Sequence, residues 1–328
     1  MLQLIDTHTH FDIDMFDHDR AEQSALAYQR GVKYIVLIGY LAKYFAQMVA
    51  CQQQMQGLIE SGKPSPTAHL AFGLHPFYIT EQVTNDLVKL EQFIQRYPSV
   101  AIGEIGLDTF SDEMKLPHNV AKQQDFFIQQ LELATQYQLP VLLHIRRAHA
   151  DTLRILKQQK FQNGGIAHSF SGGIQEAKAL VDLGFKIGVT GQVTNPNAKK
   201  LRNTITELVK TVGLESLVIE TDCPDMMPLS CQTNDNTLDS RRNVPANLPI
   251  VLQGLADLLQ IDVDSLSKML WKNSTRLFDF QLINFYQYLF CDKKFKIKYW
   301  VIKHFSTPLG KIIVEKRGTI FRVLLLEL

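Results

Sequence analysis

Eight short apolar runs recur along the first 220 residues, each closing on polar or small residues and separated by stretches with helical spacing. They fall at 2–6, 34–38, 69–74, 100–104, 140–144, 165–168, 185–189 and 217–220. Val141-Leu142-Leu143 and Leu217-Val218-Ile219 are apolar without alternation, the pattern of strands covered on both faces, as parallel strands must be. Between two of the runs, Phe127, Leu131 and Ala134 stand at i, i+4 and i+7, and Tyr137 continues the stripe until Pro140 ends the helix. The segment 23–31 closes on Gly31, a common helix terminator. Eight such alternations predict an α/β fold, a closed (β/α)8 TIM-type barrel in preference to an open doubly wound sheet. Helices over 246–259 and 265–278 would complete the outer layer. A barrel of ~250 residues forms one domain, which assigns 1–279 to the barrel and leaves 280–328 as a C-terminal extension.

The extension differs in character. It holds nine Lys/Arg against three Asp/Glu, a net of +6, so the first 279 residues carry −5 within a whole-chain charge of +1. It is rich in aromatic and aliphatic residues, as in Phe295-Lys-Ile-Lys-Tyr-Trp300. Residues 312–314 and 319–321 across 316–318 would make a small hairpin. A basic aromatic tail suits nucleic acid or a membrane surface, and equally an appended element packing on the barrel. With a balanced charge overall, any nucleic-acid contact must be local. The cysteines, Cys51, Cys223, Cys231 and Cys291, form no C-x-x-C and no disulfide or zinc-finger framework. The N-terminus lacks a basic region and an apolar core of signal-peptide length, and no run of ~18 apolar residues occurs. A reduced, cytoplasmic protein is the expectation.

Chemistry-bearing residues collect where the strands end, which in a parallel barrel is the catalytic face. His8-Thr9-His10 follows the first run, and alternate residues of an extended chain point the same way, so both imidazoles can meet one ion. Glu104 closes the fourth run inside Gly103-Glu-Ile-Gly-Leu-Asp108, His144 the fifth and His168 the sixth. Asp222 follows the eighth in Glu220-Thr-Asp-Cys-Pro224. Each has an ordinary reading taken singly: paired surface histidines, a salt-bridged buried Glu, satisfied core histidines, a helix-capping Asp. Together, four imidazoles and two carboxylates form a nitrogen–oxygen ligand set without thiolate. One metal leaves too many ligands, whereas two divalent ions sharing Glu104 account for all six. Such ions would lower the pKa of a shared water toward neutrality, with Asp222 taking its proton. The ligand types admit Mg2+, Mn2+ or Zn2+.

With these pieces in place, the sequence resembles the TatD-related deoxyribonuclease family of metal-dependent hydrolases, in particular its YjjV-type branch. The matching segments are Ile5-Asp-Thr-His-Thr-His-Phe-Asp12, Gly73-Leu-His-Pro76, Gly103-Glu-Ile-Gly-Leu-Asp108, Pro140-Val-Leu-Leu-His-Ile-Arg-Arg147, Ala167-His-Ser-Phe-Ser-Gly172 and Glu220-Thr-Asp-Cys-Pro-Asp225. The resemblance spans residues 1 to about 279. It implies that His8, His10 and Asp222 hold one metal, that Glu104 bridges, and that His144 and His168 hold the second. It also implies a substrate contact at Arg242-Asn243-x-Pro245, where Val244 replaces a common acidic residue. His75 is read as a phosphate contact or a loop-shaping residue, and one of Arg146 and Arg147 as a phosphate partner. Cys223 reads as packing, and His18, His69, His118 and His304 stay unassigned. Three functions follow: a metal-dependent nuclease working from DNA ends; a hydrolase of a small phosphoester or of an acyl ester such as misacylated tRNA; or a non-catalytic metal-binding partner protein.

Overall fold

A computed structural model describes residues 2–232, 242–278 and 280, and the backbone of 311–317 and 320–326. Eight parallel strands follow in sequence order around one sheet. They are β1 (Leu4–Thr9), β2 (Val32–Ile38), β3 (Thr67–Phe72), β4 (Ser99–Asp108), β5 (Val141–Arg146), β6 (Gly165–Ala167), β7 (Phe185–Val189) and β8 (Leu217–Ile219). Just beyond β8 the seam with β1 is joined by backbone hydrogen bonds, Asp222 N–H to His8 O at 2.9 Å and His10 N–H to Cys223 O at 2.9 Å. The barrel is therefore of the TIM type expected; among the described residues seven α-helices, α1 (Arg20–Gln29), α2 (Phe45–Glu60), α3 (Thr84–Arg96), α4 (Pro117–Tyr137), α5 (His149–Gln158), α6 (Ile174–Asp182) and α7 (Lys199–Thr211), stand between the strands and two more follow β8. Those last two are α8 (Leu248–Leu259) and α9 (Val263–Leu277), close to the predicted pair.

Side-chain parity divides the core. On β2, Ile35 and Leu37 face the helices, while Val36 and Ile38 face the barrel interior; on β5, Val141 and Leu143 face out and Leu142 faces in. The interior layer gathers Ile5, Ala71, Ala101, Ile166 and Val218, joined by Phe278 and Phe280 after α9. Because a strand repeats every two residues, the inward side of β2, β3, β5, β6 and β8 can be counted forward to the mouth; on β1 the count from Ile5 gives Thr7 and Thr9, and register irregularities intervene before His8 and His10 reach the site. From Val36 and Ile38 the count reaches Tyr40, and from Ala71 it reaches His75. From Leu142 it reaches His144 and Arg146, from Ile166 it reaches His168, and from Val218 it reaches Glu220 and Asp222. The interior packing thus aims the site.

Three strands extend beyond their expected ends, the first being β1, which runs through His8 to Thr9 instead of ending at Asp6. β4 continues four residues past Glu104 to Asp108, with a register irregularity between Gly103 and Ile105. Glu104 therefore lies within a strand that an irregularity redirects, not at its terminus. β5 likewise runs through His144 to Arg146. Gly106 permits the close pairing there: its φ is +137°, and a Cβ would run into the carbonyl of His144.

The chain forms two compact units, 1–283 and 284–328. The second contains an antiparallel hairpin of β9 (Lys311–Arg317) and β10 (Ile320–Leu326), with Val314 opposite Val323. The strands are longer than the predicted ones. Among the described residues no helix is long and apolar enough to cross a membrane.

Candidate metal centre and hydrolytic site

Glu104 is the hub of the barrel mouth. It is 1% exposed, and five imidazoles surround its carboxylate. His144 Nδ1 lies 2.7 Å away, His8 Nε2 3.1 Å, His75 Nε2 3.2 Å, His168 Nε2 3.5 Å and His10 Nε2 3.6 Å. Asp222 completes the ring, with Oδ1 3.8 Å from His8 Nε2 and Oδ2 3.6 Å from His168 Nε2. Asp222 has φ +54°, a left-handed conformation that Asp tolerates better than most side chains. All six residues singled out as ligands in the sequence thus meet around one carboxylate.

The donor chemistry fits divalent cations. Two ligands each ~2.1 Å from a tetrahedral ion stand ~3.4 Å apart, and the contacts around Glu104 scatter about that spacing. Among the described residues, three groups have donor atoms mutually within 4.8 Å: His8, His10 and Glu104; His75, Glu104 and His144; and His8, His168 and Glu220. His8 Nδ1 is also buried with no hydrogen-bond partner among the described residues. His75, read as a substrate contact, lies within this cluster; its Nδ1 accepts the Phe77 N–H at 3.0 Å, so it shapes its loop as well.

The electrostatics follow from burial and crowding. Burial favours the neutral acid at Glu104, but the surrounding imidazoles outweigh it and hold its pKa well below the usual range. Burial pushes His8 down to about 3, reinforced by His168, and pushes His168 down to about 3 as well. Both are neutral, the form that binds metal. His144 behaves oppositely: burial disfavours its charge, yet Asp108 and Glu104 raise it to about 9. Asp222 is raised well above the carboxylate range by burial and then by the charges of Glu104 and Glu220.

Supporting contacts orient the ring. His168 Nδ1 lies 3.1 Å from Glu220 Oε1, and that carboxylate also accepts the Ser169 N–H at 2.6 Å and the Thr7 hydroxyl at 3.2 Å. Glu220 has space because residue 188 is glycine; a Cβ there would overlap its carboxylate. His144 Nε2 lies 3.0 Å from Asp108 Oδ2, and His10 Nδ1 is 3.2 Å from Ile38 O. Asp108 and Glu220 stood within the sequence motifs without a role. The inward parity of β8 identifies Glu220, but Asp108 required knowing that β4 runs past Glu104.

Above the centre lies a cavity of about 910 Å3, at the upper end of the ~300–1,000 Å3 range of small-ligand pockets. His10, His75, Glu104, His144, His168 and Asp222 line it, as does Arg146. The Arg146 guanidinium sits 3.6 Å from the centre of the Phe110 ring, and Arg147 shares that ring at 4.6 Å. Arg146 has the inward parity and reaches the cavity; Arg147 is not among its lining residues. Arg242 and Asn243 do not line it either. Arg242 forms a two-armed ion pair with Asp19, at 2.9 and 2.5 Å, and donates to Met15 O. Asn243 donates to the carbonyls of Thr221 and Asp225 and accepts from Val244 N–H and Asn247, stapling the loop after β8. Both side chains are buried, Arg242 against the segment after β1 and Asn243 among the residues that follow β8.

A parallel eight-stranded barrel whose mouth gathers imidazoles around a carboxylate defines a metal-dependent hydrolase. The TatD-related DNase family model matches residues 5–279, and the chain belongs to that family. It is 36% identical over 279 residues to the metal-dependent hydrolase YjjV of Escherichia coli K12, covering 84% of this chain and 98% of that protein. The crystal structure of YjjV, a TatD homologue, superposes with a TM-score of 0.72 at 34% identity, again over 84% and 98% of the two chains. A TatD-family hydrolase from Entamoeba histolytica shares the fold, with a TM-score of 0.67 at 23% identity over 84% of this chain and 98% of that one.

Proposed function

We propose that this hydrolase is a deoxyribonuclease that cleaves phosphodiesters near DNA ends, using two divalent ions held by His8, His10, Glu104, His144, His168 and Asp222. The observation that carries the proposal is the ring of imidazoles closing on Glu104 at the floor of an open cavity, with Arg146 on its wall. The family's name, TatD-related DNase, supports the substrate. Charge supports the mode of attack: 1–279 carries −5, so the barrel lacks the excess of cations that would track a long duplex. A few phosphates held in a cavity of this size suit an end better than an internal site.

When bound, the divalent ions lower the pKa of a water and offset the charge of the phosphate oxygens. His8, His10, His144 and His168 hold nitrogen donors toward the shared Glu104 carboxylate. Asp222 presents a carboxylate between His8 and His168 and serves as the proton acceptor, and Glu220 fixes the ring of His168. Arg146, stacked on Phe110, pairs with a non-reacting phosphate. Small phosphoesters and acyl esters make up the alternative substrate class.

The test is cleavage of a short single-stranded DNA oligonucleotide by chelator-treated protein repleted with Mg2+, Mn2+ or Zn2+. Metal-restored cleavage that is lost in both Asp222→Asn and Glu104→Ala is the expected result. Metal-loaded protein inactive on DNA but active on a small phosphoester or aminoacyl ester would transfer the site to the alternative class. Full metal-dependent turnover in Glu104→Ala would refute its bridging role.

A further inference from the structure

We propose that the aromatic side chains on the β2–β3 side of the cavity form a stacking subsite for the base of the nucleotide whose phosphate sits over Glu104. This rests on the phosphodiesterase reading above and adds to it how the nucleotide is gripped. The metal-binding floor can take a phosphate but leaves most of the 910 Å3 cavity to be filled. Its walls are chemically distinct. Arg146 lines it from the end of β5, while Tyr40, Tyr44, Phe77 and Tyr78 line it from the segments after β2 and β3.

These four rings are continuous with the catalytic floor. Tyr40 meets His10 edge-on with centroids 5.7 Å apart, and Tyr78 meets His75 at 5.8 Å. Tyr40 lies 5.1 Å from Tyr44 and 5.6 Å from Tyr78, and Phe77 lies 5.3 Å from Tyr78. None is fully buried, and Phe77 is 46% exposed. A cluster serving only to pack the loops has no need to leave a large phenyl ring open to solvent at a cavity mouth. Every base has a π-face, so such a wall grips any nucleotide without reading its hydrogen-bonding edge. It suits a site that holds one terminal nucleotide by its phosphate and its base.

Calorimetric titration of the metal-loaded full-length protein with dTMP and with 2-deoxyribose 5-phosphate separates the wall from the floor, because the sugar phosphate lacks only the base. Wild type is expected to bind dTMP about 5- to 150-fold more tightly than the sugar phosphate, the range of base–aromatic stacking. That ratio should fall toward one in Tyr44→Ala and in Phe77→Ala and persist in Tyr44→Phe, while sugar phosphate affinity stays unchanged throughout. Thermal melting checks the fold of each variant, and exposed Phe77 gives the variant least able to disturb it. Equal wild-type affinity for the two ligands, or an undiminished ratio in both alanine variants, would overturn the subsite and leave the phosphoester reading intact. Binding of neither ligand would overturn both.

Discussion

His69 allows a prediction about acid stability that is independent of the metal centre. It lies on β3 with the inward parity of Ala71, two residues further from the mouth, and is fully buried. Tyr34 and Phe280 flank its ring at centroid distances of 5.3 and 4.5 Å. Neither ring nitrogen has a hydrogen-bond partner among the described residues. Burial alone pushes its pKa down to about 3, against ~6.5 in an unfolded chain. The unfolded state therefore takes up the proton first, so acid favours unfolding. Stability linked to His69 is complete above ~6.5 and is lost as the pH falls toward the folded value, at ~1.4 kcal/mol per unit. Near pH 5 the loss amounts to ~2 kcal/mol. His69→Phe keeps an aromatic ring among aromatic neighbours and removes the titration. Any cost of its larger ring is the same at all pH values, and the contributions of His8 and His168 are common to both proteins. Urea unfolding of chelator-treated wild type and variant, at about pH 7.5 and about pH 5, should show the stability difference moving by ~2 kcal/mol in favour of the variant on acidification. Parallel pH dependences would refute the argument and mean that the imidazole is hydrated or paired in solution.

Two other positions make distinct predictions. Glu220→Gln retains the shape of the group under His168 but not its charge, and should weaken metal binding ~10- to 100-fold in a chelator-competition titration; unaltered affinity would show that Ser169 and Thr7, not His168, are what it serves. Arg242→Met breaks the pair with Asp19, whose carboxylate stays partly solvated, so a cost of ~2 kcal/mol, or a melting temperature lower by ~4–8 °C, is expected. With Arg242 away from the cavity, kcat/KM on an oligonucleotide should remain within about twofold; a collapse of kcat/KM at unchanged melting temperature would return Arg242 to the substrate.

Legibility followed physical locality. The apolar triplets of β5 and β8 identified buried strands because a parallel strand is covered on both faces. Asp222 was readable because it follows such a strand closely, and His144 because it continues the inward parity of Leu142. Arg242 and Asn243 were less readable: only the folded loop shows that one reaches Asp19 and the other holds the carbonyls of Thr221 and Asp225. Asp108 was obscured for a similar reason, since β4 passes through an irregularity at Glu104 and continues to a partner on β5.

The order of the strands, the parallel barrel and the residues able to act as donors were written in the sequence, because strand burial and side-chain alternation have short periods. The tertiary structure alone decided how five imidazoles share one carboxylate, and why Glu220 rather than solvent faces His168. It also decided that Arg146, not Arg147, enters the cavity. Those outcomes depend on the closure of β8 against β1 and on where β4 shifts register, which bring together residues as much as 214 positions apart.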